Sequence, residues 1–126
     1  MDIVQNLTAS FSLIKELYAP HILTDVNDSR VMLVKLKGQE VPWHSHDTED
    51  ELFIVFSGQI YIHFRDKKVA VHQGELFKVP RGVEHRVTSP NLSLVLLIEA
   101  KNFKHTGATL APITKHDFPN VEDLLL

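Results

Sequence analysis

Three histidines and one glutamate are the residues of this chain best suited to chemistry: His44, His46, Glu51 and His85. Imidazole nitrogens and a carboxylate oxygen together suit a divalent transition metal such as Fe, Mn, Ni, Co or Zn. Four such ligands leave one or two coordination positions open for water or substrate, as a catalytic metal requires. The sequence therefore predicts a metal site.

The acidic turn at 47–50 leaves the carboxylate ligand open to an alternative assignment. Glu49 or Asp50 could replace Glu51, but Glu51 is preferred because it begins an apolar stretch, whereas the flanking acids are typical of a solvated turn. A lone His-x-His pair more often reflects chance than ligation, so the prediction depends on all four residues together. A decayed site that keeps these residues and binds something else is the other alternative.

Short β-rich runs separated by turn residues occupy most of the chain after Ile22. They predict strands at 31–36, 51–56, 60–65, 69–72, 76–79, 85–88 and 92–98. Many short antiparallel strands joined by tight turns predict an all-β sandwich or barrel. Before them, apolar residues three or four positions apart predict an amphipathic helix over 3–17. The tail, 101–126, is expected to wrap the surface.

Strand periodicity aims the predicted ligands at a common interior. Alternate residues of a strand share a face, so His44 and His46 are expected to point the same way. Glu51 begins the next strand, and barrel closure must bring in His85. The same parity predicts an apolar interior lining of Phe53, Val55, Ile60, Ile62 and Phe64.

The remaining histidines are predicted to lie outside the site. His63 and His72 fall on strand faces opposite the apolar residues, which indicates an outward or subunit-interface position. His21, His105 and His116 are predicted at the surface, and Trp43 is predicted to pack at the barrel mouth.

Composition excludes several classes of function. The 126 residues are enough for one domain, and 44% are hydrophobic and 23% charged. The net charge of −3 without a basic run argues against a nucleic-acid partner. The chain has no cysteine, which excludes thiol catalysis, disulfides and iron–sulfur clusters. No apolar run is long enough to span a membrane and no secretory signal is evident, so a cytoplasmic location is predicted.

Glycine and proline punctuate both ligand-bearing segments. The pattern Gly38-x5-His44-x-His46-x4-Glu51-x6-Gly58, followed by Gly74-x5-Pro80-x-Gly82-x2-His85, resembles the two motifs of the cupin superfamily. Small single-domain cupins described as mannose-6-phosphate-isomerase-like are most similar, over about residues 22–100 of a single domain spanning 1–126. The family has asparagine four residues after the last histidine, where this chain has Ser89.

The resemblance implies a jelly-roll barrel, that is, a double-stranded β-helix, with a short N-terminal helix. It also implies that the four residues named first bind the metal and that the protein is a homodimer. An enzyme acting on a small oxygenated molecule (a sugar, keto acid or diketone) by Lewis-acid isomerisation or metal-dependent oxygenation fits this ligand set. The general base is unassigned, with Glu49 and Asp50 as candidates. The alternatives are a non-catalytic metal-dependent binding or sensing module and a structural metal, which predicts a closed site without a cavity.

Overall fold

The structure, a computed structural model, describes residues 4–38, 41–101 and 118–125. Within these ranges the chain forms one α-helix, nine β-strands and a short 3-10 helix. The helix α1 is Leu7–Leu13 and the 3-10 helix is Val121–Leu125. The strands are β1 His21–Val26, β2 Ser29–Leu36, β3 Val41–His44, β4 Glu51–Ser57, β5 Gln59–His63, β6 Lys68–His72, β7 Leu76–Val79, β8 His85–Thr88 and β9 Ser93–Ala100.

The strands form two antiparallel sheets. One has five strands in the order β1-β2-β9-β4-β7, and the other has four in the order β3-β8-β5-β6. Inward-facing residues of both sheets pack into one apolar core. The predicted all-β jelly-roll arrangement is confirmed.

Burial alternates along the strands, as expected for strands with one face towards a core. Four of the five predicted lining residues are buried in that core: Phe53, Val55, Ile60 and Ile62. Phe64 differs, because it follows the end of β5 and is only partly buried against the core.

The helix is shorter than predicted. Asn6 caps its first turn by accepting a hydrogen bond from the Ala9 N–H at 2.9 Å. The chain becomes extended again at Ile14, so that Tyr18 can enter the barrel core, where its N–H donates to the Lys35 carbonyl. Tertiary packing therefore ends the helix at Leu13, whereas the periodicity alone continued to residue 17.

Strand β1 was not predicted, and His21 at its start was wrongly expected at the surface. His21 is buried, and its Nδ1–H donates to the Ala19 carbonyl at 2.6 Å. Pairing with β2 creates the strand, although its outer half, from Thr24 to Val26, is exposed. A strand with so few buried positions gives little periodicity to find.

Residues 118–125, the last that the structure describes, contact β1, the barrel core and α1. Phe118 packs against the barrel core, and the Ile22 N–H donates to the Pro119 carbonyl at 2.7 Å. Val121 is buried with residues of α1. Most of the predicted surface tail lies outside the described residues. Neither helix of the described ranges is long and apolar enough to cross a membrane.

Candidate metal centre

The four predicted ligands lie together where β3 ends and β4 and β8 begin. His44, the last residue of β3, pairs directly with His85, the first residue of β8. Glu51 is the first residue of β4. All four side chains are buried, including that of His46. The structure thus brings the predicted set into one cluster, while metal binding itself stays a prediction.

His46 reaches the cluster from a loop, so the expectation that it shares a strand with His44 was wrong. Strand β3 ends at His44, and the His46 carbonyl accepts a hydrogen bond from the Gly82 N–H at 2.7 Å. This bond ties the loop to the turn before β8. The rings of His44 and His46 still converge, with centroids 5.0 Å apart.

The spacing of the ligand atoms suits a single ion. One nitrogen or oxygen from each residue lies within 4.8 Å of all the others. The Glu51 Oε1 atom is 3.2 Å from His85 Nε2 and 3.6 Å from His46 Nε2. Metal bonds of about 2.1 Å separate neighbouring ligand atoms by roughly 3 to 3.5 Å. The cluster could therefore close around a metal with small side-chain movements.

Backbone carbonyls orient two of the imidazoles. The Nδ1–H of His44 donates to the Pro42 carbonyl at 2.6 Å, and that of His85 donates to the Val83 carbonyl at 2.9 Å. A carbonyl can only accept, so each Nδ1 carries a proton and each ring presents its Nε2 to the cluster. Outer hydrogen bonds of this kind orient metal-binding histidines. The donor set accordingly fits a divalent transition metal.

Electrostatics also favour ligation. Burial lowers the pKa of His44 to about 4, so its ring is neutral at physiological pH. Burial opposes ionisation of Glu51, but its contacts with His46 and His85 outweigh burial and hold its pKa at about 2. A neutral imidazole and an ionised carboxylate are the forms that bind metals.

The neighbouring acids do not join the cluster. Asp50 accepts a hydrogen bond from the Arg81 N–H at 2.9 Å and lies 3.7 Å from Lys78 Nζ. These contacts hold the pKa of Asp50 below its usual value. Of the acids at 47–51, only Glu51 contributes to the four-residue cluster.

A small apolar cavity adjoins the cluster. Its volume is about 20 Å³, which is room for a water-sized group. His44 and Glu51 meet apolar walls there, formed by Val34, Leu36, Val41, Phe53, Val87 and Leu97. Of the predicted lining residues, only Phe53 borders this cavity.

The other predicted residues stay outside the cluster. His63 Nε2 is hydrogen bonded to Thr88 Oγ1 at 2.8 Å, and exposed His72 contacts Glu75. Trp43 is half-buried with the guanidinium of Arg65 3.9 Å above its ring. His105 and His116 lie outside the described residues.

One buried carboxyl group near the site was missed by sequence reasoning. Glu99 is buried on β9, whose inward-facing residues also include Val95 and Leu97. The predicted strand stopped at residue 98, one position short of it. Continuing the inward alternation from Val95 and Leu97 would have placed Glu99 on the interior face.

Two antiparallel sheets enclosing three histidines and a glutamate define a cupin-type barrel. The family model described as Cupin domain matches residues 31–98, more than half of the chain. This chain belongs to the cupin family.

Known relatives agree with this assignment. The chain is 38% identical over 102 residues to the uncharacterised Bacillus subtilis protein YdbB, covering 80% of this chain and 89% of YdbB. A cupin-2 domain protein of Shewanella frigidimarina is 36% identical, with a TM-score of 0.76 over 78% of this chain and 95% of that one. Protein NMB1881 of Neisseria meningitidis is 31% identical, with a TM-score of 0.71, and the match covers 79% of this chain and 100% of NMB1881. These likenesses support the fold; membership of the mannose-6-phosphate-isomerase-like subgroup stays a prediction.

Proposed function

We propose that this cupin binds a divalent transition metal through His44, His46, Glu51 and His85 and acts as an enzyme on a small oxygenated molecule. The reaction class is Lewis-acid isomerisation or metal-dependent oxygenation of a sugar, keto acid or diketone. The observation that carries the proposal is the convergence of four buried donors within 4.8 Å. The ion is one of Fe, Mn, Ni, Co and Zn, which this ligand set does not distinguish.

Each part of the site has a definable task. A bound metal would polarise an oxygen of the substrate as a Lewis acid. The Pro42 and Val83 carbonyls hold the rings of His44 and His85 in the ligating tautomer. The apolar walls limit water at the His44 and Glu51 side of the cluster, which strengthens electrostatic interactions there.

The cavity beside His44 and Glu51 supports a metal with an open coordination position. A structural ion is enclosed by its four protein ligands, whereas here a space for a water-sized group touches His44 and Glu51. An open position of this size suits a metal-bound water or one oxygen of a substrate. A larger ligand must extend from the cluster beyond this cavity.

The test combines metal analysis with turnover. Purified protein should contain or take up Fe(II) or Mn(II), and His46→Ala should abolish both uptake and turnover in an assay of oxygen consumption and isomerisation with diketones and sugars. His72→Ala is the matched control, because His72 is exposed and outside the cluster. Ligand-induced melting shifts without turnover would favour a non-catalytic binder. Undiminished metal in His46→Ala would contradict the assigned ligand set.

A homodimer is also proposed. Both sheets have edge strands, β1 and β7 in one and β3 and β6 in the other. Unpaired strand edges invite pairing with another chain and are commonly covered. Leu76 on edge strand β7 is 61% exposed, which supports burial of this edge in an interface. The cytoplasmic location remains a prediction of the sequence.

A further inference from the structure

Glu99 is a buried carboxyl group that the metal cluster does not use. Its side chain is 3% exposed, and neither carboxyl oxygen has a hydrogen-bond partner in the described part of the chain. A buried polar group without a partner costs about 1 to 3 kcal/mol, and more if it is charged. A carboxyl group kept at such a position calls for a compensating role.

The side chain faces the barrel interior. Along β9, Ser93, Val95, Leu97 and Glu99 are buried and the residues between them are half-exposed. Val95 and Leu97 belong to the barrel core. Because alternate residues of a strand share a face, Glu99 points to the same side.

The interior position of Glu99 is beside the metal cluster. Strand β4 neighbours β9, and their register pairs Phe53 with Leu97 and Leu52 with Ile98. The next residues along the two strands are Glu51 and Glu99. The unused carboxyl group therefore lies at the same end of the barrel as Glu51, on the adjacent strand.

The basic residue opposite Glu99 on β2 does not neutralise the carboxyl group. Arg30 is its partner in the β2–β9 ladder, but the Arg30 guanidinium donates to Asp25 Oδ1 at 2.8 Å and also reaches the Lys101 carbonyl. Burial, together with the charge of Glu51, raises the pKa of Glu99 well above its usual value, and Arg30 opposes this only in part.

We propose that Glu99 hydrogen-bonds to a hydroxyl group of the molecule held at the metal and so selects hydroxyl-bearing ligands. This inference rests on the proposed function. A hydroxyl both donates and accepts, so it can satisfy a carboxyl group in either protonation state. A ketone oxygen only accepts, so it can pair with Glu99 only when the carboxyl group is protonated, and an unsubstituted carbon cannot pair with it at all. Sugars and hydroxy acids therefore fit the site better than unsubstituted acids, and Glu99 is a specificity-determining residue.

The first test measures stability without metal or ligand. Glu99→Met replaces the carboxyl group with an apolar chain of similar length and should raise the urea midpoint of the metal-free protein, because an unpartnered buried polar group is removed. Glu99→Gln, which keeps a polar group there, should raise it less. Glu16→Met, at an exposed glutamate, is the control and should leave the midpoint unchanged. A lower midpoint in Glu99→Met would assign Glu99 a structural hydrogen bond and overturn the inference.

The second test measures ligand preference in Co(II)-loaded protein, with lactate and propionate as probes that differ only by a hydroxyl group. The metal itself also favours lactate, so the decisive quantity is the change in the lactate-to-propionate affinity ratio. This ratio should fall roughly tenfold or more in Glu99→Met, while metal content stays at the wild-type level.

The alternative outcomes separate the two proposals. An unchanged affinity ratio in Glu99→Met, or binding of neither acid by the metal-loaded wild type, would overturn the role of Glu99 and leave the metal site standing. Metal loss in Glu99→Met would also overturn it, by making Glu99 a ligand of the ion. Wild-type protein that takes up no metal would refute the proposed function and this inference with it.

Discussion

His44 links the candidate metal site to the acid stability of the protein. Its ring is held in a buried position by the bond from Nδ1 to the Pro42 carbonyl, and burial lowers its pKa to about 4. Protonation would place a charge in the apolar surroundings formed by residues such as Val41 and Phe53. The folded state therefore resists taking up a proton that the unfolded chain accepts readily.

This difference predicts a pH dependence of stability. The folded-state pKa of His44 lies below the unfolded value of 6.5, so the unfolded chain binds more protons between pH 6.5 and 4. The stabilisation is present above pH 6.5 and is lost as the pH falls towards 4. We expect this residue alone to lower the free energy of unfolding of the metal-free protein by about 3 kcal/mol across that window.

Urea unfolding of wild type and His44→Asn at a series of pH values checks this expectation. The variant should show a flatter pH dependence, because it lacks the titrating ring. His72→Asn is the control at an exposed histidine and should follow the wild type. Parallel curves for wild type and His44→Asn would rule out the proposed linkage.

At the scale of elements, two turns at the end of the barrel opposite the cluster pack against each other. The Ser93 hydroxyl accepts from the Gln59 N–H at 3.1 Å and donates to the Gln59 carbonyl at 3.0 Å. Ser89 stands where the cupin motif has asparagine. Its Oγ is 2.7 Å from the Ser93 Oγ, and its hydroxyl donates to the Asn91 carbonyl. These bonds join the β4–β5 turn to the start of β9.

Gly58→Ala should strongly destabilise this junction. Gly58 has a φ of +91°, and a Cβ there would lie 2.6 Å from Ser93 Oγ and 2.7 Å from the Leu92 carbonyl oxygen. We expect a loss of about 2 to 4 kcal/mol in the free energy of unfolding, from backbone strain and overpacking together. Gly38→Ala is a matched control, because Gly38 has a φ of +70° and no atom of the described residues lies within 4 Å of the added Cβ. Gly38→Ala should lower the free energy of unfolding only by the backbone strain. Equal losses of stability in the two variants, measured by urea unfolding, would refute the steric argument.

The predicted elements succeeded where burial alternates clearly. Strands β7 and β8 have the predicted bounds. Strands β2, β4 and β6 differ from their predicted counterparts by one or two residues at one end, and β5 and β9 by one or two residues at both ends. The helix was overextended and β1 was missed. In both places the outcome depends on contacts distant in sequence, such as the bond from Tyr18 to Lys35 and the pairing of His21 with Leu33. Local periodicity carries no information about such contacts.

At the scale of the whole molecule, the described residues cover the outer face of the five-stranded sheet only in part. Helix α1 packs there, with Phe11 stacked on Phe56 at 5.4 Å between ring centroids. Further along the same face, Ile54 is half-buried and its ladder partner Leu76 is 61% exposed on edge strand β7. Apolar surface at an unpaired edge is typical of subunit contacts.

The homodimer prediction is tested at this edge. We expect light scattering after size exclusion to give twice the chain mass for wild type, and Leu76→Glu to shift the protein towards monomer, because a buried charge is costly at an interface. Leu92→Glu is the control at a leucine that is 48% exposed in the turn before β9. A monomeric wild type, or dissociation by both substitutions alike, would contradict an interface at β7.

The sequence by itself determined the barrel and the four candidate ligands, because strand parity and the spacing of glycine, proline and histidine are local properties of the chain. Only the tertiary structure decided that His46 joins from a loop and that Glu51 and not Asp50 enters the cluster. It also decided that Glu99 lies beside Glu51 with no hydrogen-bond partner among the described residues. These outcomes depend on which strands become neighbours and on which backbone carbonyls and charges they bring with them. Such juxtapositions arise from the closure of the two sheets, which no short stretch of sequence encodes.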